Sequence, residues 1–325
     1  DAAGKKVGKA VFKLDGTTLS VVASNLGDIT TPIAIDPSVV VTSTSDFQEN
    51  GNDGGNISFD TAGQVERRLT TGGTTTWTST TSLPTGSEGL ATASYNSYIY
   101  AIGGTGLASS VYYAATNSDG TLGSWTVTSS MNTPRSYMGA AAYNSRLYVW
   151  GGYNTSSGNA TAGVEYAPIN SDGSLGSWTP ANSMPTAVCR AGTAAYKGYL
   201  YSFGGSTSPS SGCTSSSSGA TNTVQYAAIK ADGSLGTWQT TSSIAYGSSG
   251  QVISSMASII NGYAYLAGGH NNGGGTSYSD MQSAPVNSDG SLGSWTASTS
   301  LTAATHSAGF ISYQGFLFLL SNQSN

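Results

Sequence analysis

Runs in which aromatic or aliphatic residues alternate with smaller ones recur along the chain as "YIYAIGG", "RLYVWGG", "YLYSFGG" and "YAYLAGG", each ending in a Gly pair at 103/104, 151/152, 204/205 and 268/269. Period-two alternation predicts half-buried strands, and no segment holds a 3.6-residue period, so the chain is predicted to be all-β. A second marker follows each run: "NSDGSLGSW" stands at 170–178 and again at 287–295, with near copies at 117–125 and 231–238. The tryptophans that end these copies, with a fainter one at Trp77, are Trp77, Trp125, Trp178, Trp238 and Trp295, spaced 48, 53, 60 and 57 residues apart. That period points to propeller blades of about 50 residues.

One unit reads as four strands: a ("SYMGAAAY"), b ("RLYVWGG"), c ("VEYAPIN") and d ("SWTPANSM"). The unit resembles the kelch family, whose blades carry a Gly-Gly doublet after the second strand and a spaced Tyr and Trp further on. Tyr166 and Trp178 fill those positions, and "MNTPRSYMG" is similar to the kelch lead-in to strand a. The resemblance covers residues 62–325 and implies a β-propeller; the "NSDGSLG" insert makes the c-to-d connection longer than is usual in that family.

Strands a and b occur five times, the last pair being "HSAGFISYQ" and "FLFLLSN", where Ser321 and Asn322 replace the Gly pair. The chain then stops. At its other end "GQVERRLTT" (63–71) aligns with "AGVEYAPIN", and "TTWTSTTSL" (75–83) supplies a strand d. Joining the two ends predicts a five-bladed kelch-like propeller closed by strands from both termini, which removes an open sheet edge.

The Asp-to-Trp distance is six residues in every clear copy of the nonapeptide, while the loops after the Gly pairs vary in length. Fixed spacing beside variable loops predicts a rigid c-to-d hairpin. Asp119, Asp172, Asp232 and Asp289 would accept backbone N–H groups in Asx-type turns, the next Gly would take a positive φ, Leu would turn inward and Trp would open strand d. The string also resembles the Asp-box of sialidases, with its spacing changed by one residue; that element usually lies away from the active site. Calcium is disfavoured, because each turn offers one carboxylate where the ion takes six to eight oxygens.

Composition narrows the function classes. Only 8% of residues are charged, 44 are Gly and 10% are aromatic, so a core is available despite the low charge. With a net charge of −5 the chain has no basic face for nucleic acid. No apolar run reaches the roughly 18 residues of a membrane span. The start at Asp1 and the Ser/Thr/Gly/Asn-rich surface fit a processed protein, extracellular or on a cell surface. Cys189 and Cys213 map to one face of one blade; paired, they would stabilise by about 3 kcal/mol and imply an oxidising compartment, and buried free thiols are the alternative.

Catalytic constellations are sparse. Glu66 and Glu165 share a strand c position and read as solvated, leaving Glu88 and Asp280 as the acids a glycosidase could use. Arg67, Arg68, Arg135, Arg146 and Arg190 do not all share a face, as a sialidase would require. Galactose oxidase is a kelch-containing copper enzyme, but His270 and His306 are the only histidines here. A non-enzymatic protein without metal or cofactor is expected. Of the nineteen tyrosines, Tyr137, Tyr153 and Tyr246 fall off the repeat, on the face shared by the d-to-a and b-to-c connections. Glu88, Arg135, Arg190, His270 and His306 map to the same face, and rings with a few polar partners suit a glycan or a peptide. The alternative is that varied loops simply hold varied residues.

Residues 1–61 lack the repeat. "AVFKLDGTTLSVVAS" predicts a hairpin about Asp15-Gly16, "PIAIDPSVVVTSTS" one or two further strands, and "DFQENGNDGGNISFD" an acidic linker. So short a β segment is expected to dock, on its own propeller or on another copy or another surface protein. The expected role is a structural subunit of a surface or filamentous assembly, or an adhesin; a carbohydrate-binding module competes, and a glycoside-acting enzyme is the remote alternative.

Overall fold

The computed structural model describes residues 79–325, except 118–119, 208–212, 214–218, 246–252, 254, 271–276, 314–315 and 321–325, together with the backbone of six strands in the first 78 residues. Trp77, Asp119 and Tyr246 therefore lie outside the described residues. The chain divides into two compact units, Asp1–Thr78 and Ser79–Asn325. Among the described residues no helix is long and apolar enough to cross a membrane.

In the first unit Lys9–Asp15 pairs with Thr18–Ser24 in an antiparallel ladder with Asp15 opposite Thr18, the hairpin its alternating runs predict. Val40–Val41 pairs with Phe47–Gln48, and Ile57–Phe59 with Val65–Arg67. Val65–Arg67 thus pairs with a strand just before it in sequence.

The second unit is a propeller-like β fold built from one sheet written four times. Strands a to d are Ala91–Tyr95, Tyr98–Ile102, Val111–Ala115 and Thr126–Thr128 in the first repeat. They are Gly139–Tyr143, Arg146–Trp150, Val164–Pro168 and Thr179–Ala181 in the second. The third has Gly192–Tyr196, Tyr199–Phe203, Val224–Ala228 and Gln239–Thr241; the fourth has Met256–Ile260, Tyr263–Ala267, Met281–Pro285 and Thr296–Ser298. All four sheets are antiparallel in the order a-b-c-d. Among the described residues a fifth sheet has strands a and b, Gly309–Tyr313 and Phe316–Leu320.

Apolar side chains fill the space between successive sheets. One core joins Tyr100, Ile102 and Val111 of the first repeat to Leu147, Val149 and Trp178 of the second. Two equivalent cores join the second repeat to the third and the third to the fourth. Full burial of each large side chain is worth about 1.5–3 kcal/mol, so stability resides mainly in the inter-sheet layers.

The nonapeptide turn is a joint in those layers. Asp172 Oδ1 accepts the Ser174 N–H at 3.0 Å and the Ser174 hydroxyl at 2.6 Å, and Asp232 and Asp289 repeat this with Ser234 and Ser291. These bonds hold the three carboxyls below the ordinary Asp range, the serine hydroxyl contributing most. Leu175, Leu235 and Leu292 are buried. The Trp178 and Trp295 indoles donate to the Ser129 and Ser242 carbonyls of the preceding repeat at 2.9 and 3.0 Å. One bond was not expected from sequence: a strand b tyrosine of the preceding repeat donates its hydroxyl to the turn glycine's carbonyl. Tyr100 to Gly173 spans 2.8 Å, Tyr148 to Gly233 2.9 Å and Tyr201 to Gly290 2.8 Å. Burial pushes the Tyr100 and Tyr148 phenols up to about 12, and Tyr201 up as well.

Candidate functional site

The ends of all five a strands line one open pocket of about 690 Å³. At its rim the residue two before each a strand takes a left-handed backbone where described: Gly89 (φ 65°), Tyr137 (54°), Arg190 (52°) and Ser307 (52°). Hydrogen bonds link this rim from sheet to sheet: the Tyr137 N–H donates to the Gly89 carbonyl at 2.7 Å, and the Arg190 N–H to the Tyr137 carbonyl at 3.0 Å. A side-chain-bearing residue at positive φ costs about 1–2 kcal/mol, so the surrounding ladder must hold it there.

Three non-repeating side chains meet on this rim. Tyr137 donates its hydroxyl to Glu88 Oε1 at 2.6 Å. The Arg190 guanidinium carbon lies 3.8 Å from the centre of the Tyr137 ring, a cation–π distance, and Arg190 Nη2 is 4.0 Å from Glu88 Oε1. The Glu88 side chain is 75% exposed and that of Arg190 18%, so the carboxylate can swing into water while the guanidinium stays clamped. Arg190 Nε and Ser255 Oγ, on two residues that line this pocket, are themselves buried with no hydrogen-bond partner among the described residues. Burial, followed by the bond to Glu88, raises the Tyr137 phenol, with the Arg190 charge opposing.

The fold brings Tyr137, Glu88 and Arg190 together, but Tyr137 is no free aromatic platform. Arg190 covers one side of its ring, and the ring packs so closely on Gly89 that a β-carbon there would meet it at 2.5 Å. His306 is half-buried with its ring 4.9 Å from that of His270. Desolvation, then the His270 and Arg190 charges, lower its pKa. Tyr153 is half-buried in a three-stranded sheet formed by Arg135–Ser136, Tyr153–Asn154 and Asn159–Ala160, and does not line the pocket. That sheet bonds the d-to-a connection to the b-to-c connection, which places both on one face as expected.

Three expectations are corrected. Arg135 is 1% exposed and cannot meet a ligand at the surface. Its Nη2 pairs with Glu165 Oε1 at 2.7 Å, and its Nη1 donates to the Gly151 and Gly163 carbonyls at 3.0 and 2.8 Å. Glu165 is accordingly not solvated: it is 2% exposed and also accepts the Asn132 N–H at 2.8 Å. The signal was present in the repeat, because Gln225 and Gln282 hold the same strand c position and bind the Thr186 and Ala245 N–H groups of their own lead-ins. His270 is 2% exposed, its backbone bonded both ways to Ile253, so it sits inside the fold and not on a binding surface.

Cys189 and Cys213 form a disulfide with a Cα–Cα distance of 6.3 Å, both residues fully buried. The bond ties the long b-to-c loop of the third repeat to the residue next to Arg190. Among the described residues no three His, Cys, Asp or Glu side chains gather as metal ligands.

No protein-family model matches the chain, and no curated protein matches it. Among solved structures it is similar to one titled "Structure of YjhT", with 13% identity and a TM-score of 0.56, over 74% of this chain and 73% of that one. At that identity the likeness speaks for the fold alone.

Proposed function

We propose that the chain is a non-enzymatic extracellular interaction protein: a kelch-like propeller displayed on a cell surface or in a surface filament, with the strand a rim as its recognition face. The observation that supports this most is the division of labour among residues. Those that recur from repeat to repeat, the Asp turns and the Tyr–Gly bonds, build and join the sheets. Those that do not recur, Glu88, Tyr137 and Arg190, converge on an open pocket, Tyr137 and Arg190 from strained backbone positions. A buried disulfide fits an oxidising compartment.

The same reading has the fifth sheet completed in cis to make five blades, strand d coming from 75–83 and strand c from 63–71, with Val65–Arg67 exchanging Ile57–Phe59 for the fifth sheet. Thr80 Oγ1 accepts the Leu122 N–H at 2.8 Å and the Thr81 carbonyl accepts the Trp125 indole at 2.9 Å. Thr128 and Ser129 make the same two bonds to Leu175 and Trp178, so Thr80 and Thr81 stand where the end of a strand d belongs. Residues 1–61 then mediate assembly. Deleting them is expected to leave the purified propeller folded and to abolish its incorporation into surface material; unchanged incorporation would overturn the assembly role.

A further inference from the structure

We propose that the rim pocket binds the carboxylate of an acidic saccharide, held by Arg190 in exchange for Glu88. This deepens the recognition reading and rests on it only for the choice of face.

Arg190 is the one basic side chain lining the pocket among the described residues. It is pre-positioned by its left-handed backbone and by stacking on Tyr137, so little side-chain freedom is lost when it takes a ligand. Its terminal nitrogens are what a ligand can reach: the approach of Glu88 to Nη2, at 4.0 Å, is too long for a hydrogen bond, while Nε is buried and without a partner among the described residues. A planar guanidinium with idle donors is built for a bidentate carboxylate. Glu88 is the resident competitor. Its own hydrogen bond is to the Tyr137 hydroxyl, and its high exposure lets it leave without a desolvation cost.

The rest of the pocket selects the kind of acid. Beyond Arg190 its lining includes the hydroxyl residues Thr92, Thr193 and Ser307 between apolar residues. A pocket of about 690 Å³ set among the ends of five strands suits one or two sugar rings. An acidic peptide would call for a cluster of cations, and Arg135, the other candidate, is committed to Glu165.

The test is isothermal titration of the full chain with galacturonic acid, with galactose as its neutral counterpart, and with an aspartate-rich peptide. Galacturonate is expected to bind at least about tenfold more tightly than galactose, since a charge-assisted pair contributes about 1.5–3 kcal/mol. Arg190→Met should remove that preference. Glu88→Gln changes an exposed side chain and does not threaten folding; it should tighten galacturonate binding by about threefold or more, the reverse of its effect if Glu88 itself held the ligand. Equal binding of galactose, loss of affinity in Glu88→Gln, binding of the peptide alone, or no binding would each overturn the proposal. Because the purified chain is titrated, failure here leaves surface display untouched, and failure of display leaves this result intact.

Discussion

Removing the Glu165 carboxylate should be among the most damaging single changes to the second unit. Glu165→Ala strands the Arg135 guanidinium at 1% exposure and leaves the Asn132 and Thr133 N–H groups without their acceptor, at 2.8 and 3.3 Å in the native protein. Breaking a buried pair from one side costs about 3–5 kcal/mol. For a unit of this size each kcal/mol shifts Tm by about 2–4 °C, so a loss of about 6–20 °C is expected by differential scanning calorimetry. The repeat supplies its own control. The next sheet has Val188 where this one has Arg135 and Gln225 where it has Glu165, and Gln225 accepts the Thr186 N–H at 2.8 Å. The double variant Arg135→Val, Glu165→Gln copies that solution and should lie within about 1.5 kcal/mol of the parent. A small effect of Glu165→Ala, or a double variant as unstable as the single one, would refute the reasoning.

Further outcomes follow from the joints between sheets. Gly290→Ala should cost clearly more than Gly120→Ala: both sit near φ 80°, but a β-carbon at Gly290 meets the Tyr199 ring and one at Gly120 meets nothing, so only the backbone penalty of about 1 kcal/mol applies there. Tyr201→Phe should lower stability by about 1 kcal/mol in urea melts, because the Gly290 carbonyl loses a buried donor at 2.8 Å. Tyr100 and Tyr148 titrate near 12 when folded and near 10 when unfolded, so their contribution is complete below pH 10 and is lost as pH rises through about 12; alkaline unfolding monitored by phenolate absorbance should begin in that window.

The parts of the fold that local chemistry decides were readable in advance. Alternation marked the strands, the Gly pairs marked their ends, and the fixed Asp-to-Trp spacing marked a turn whose Asp, Gly, Leu and Trp behave as expected. What sequence reasoning missed depends on what lies across from a residue. Arg135 and Glu165 look like surface charges until each is seen to be the other's partner, although the glutamines at the matching strand c positions hinted at a buried polar post. The Tyr–Gly bonds join residues 73 to 89 positions apart, which no local pattern announces. At the rim, Tyr137 was found for being off the repeat, but its burial beneath Arg190 reversed its role from ligand platform to support.

The central claim is that this propeller acts at a cell surface through its rim. Immunoelectron microscopy of intact, unpermeabilised source cells, with an antibody to residues 79–325, tests it most directly. Label on the outer surface or along surface filaments, reduced when antibody to the Glu88–Arg190 rim is blocked by bound ligand, is the predicted result; label confined to the cell interior would contradict the account.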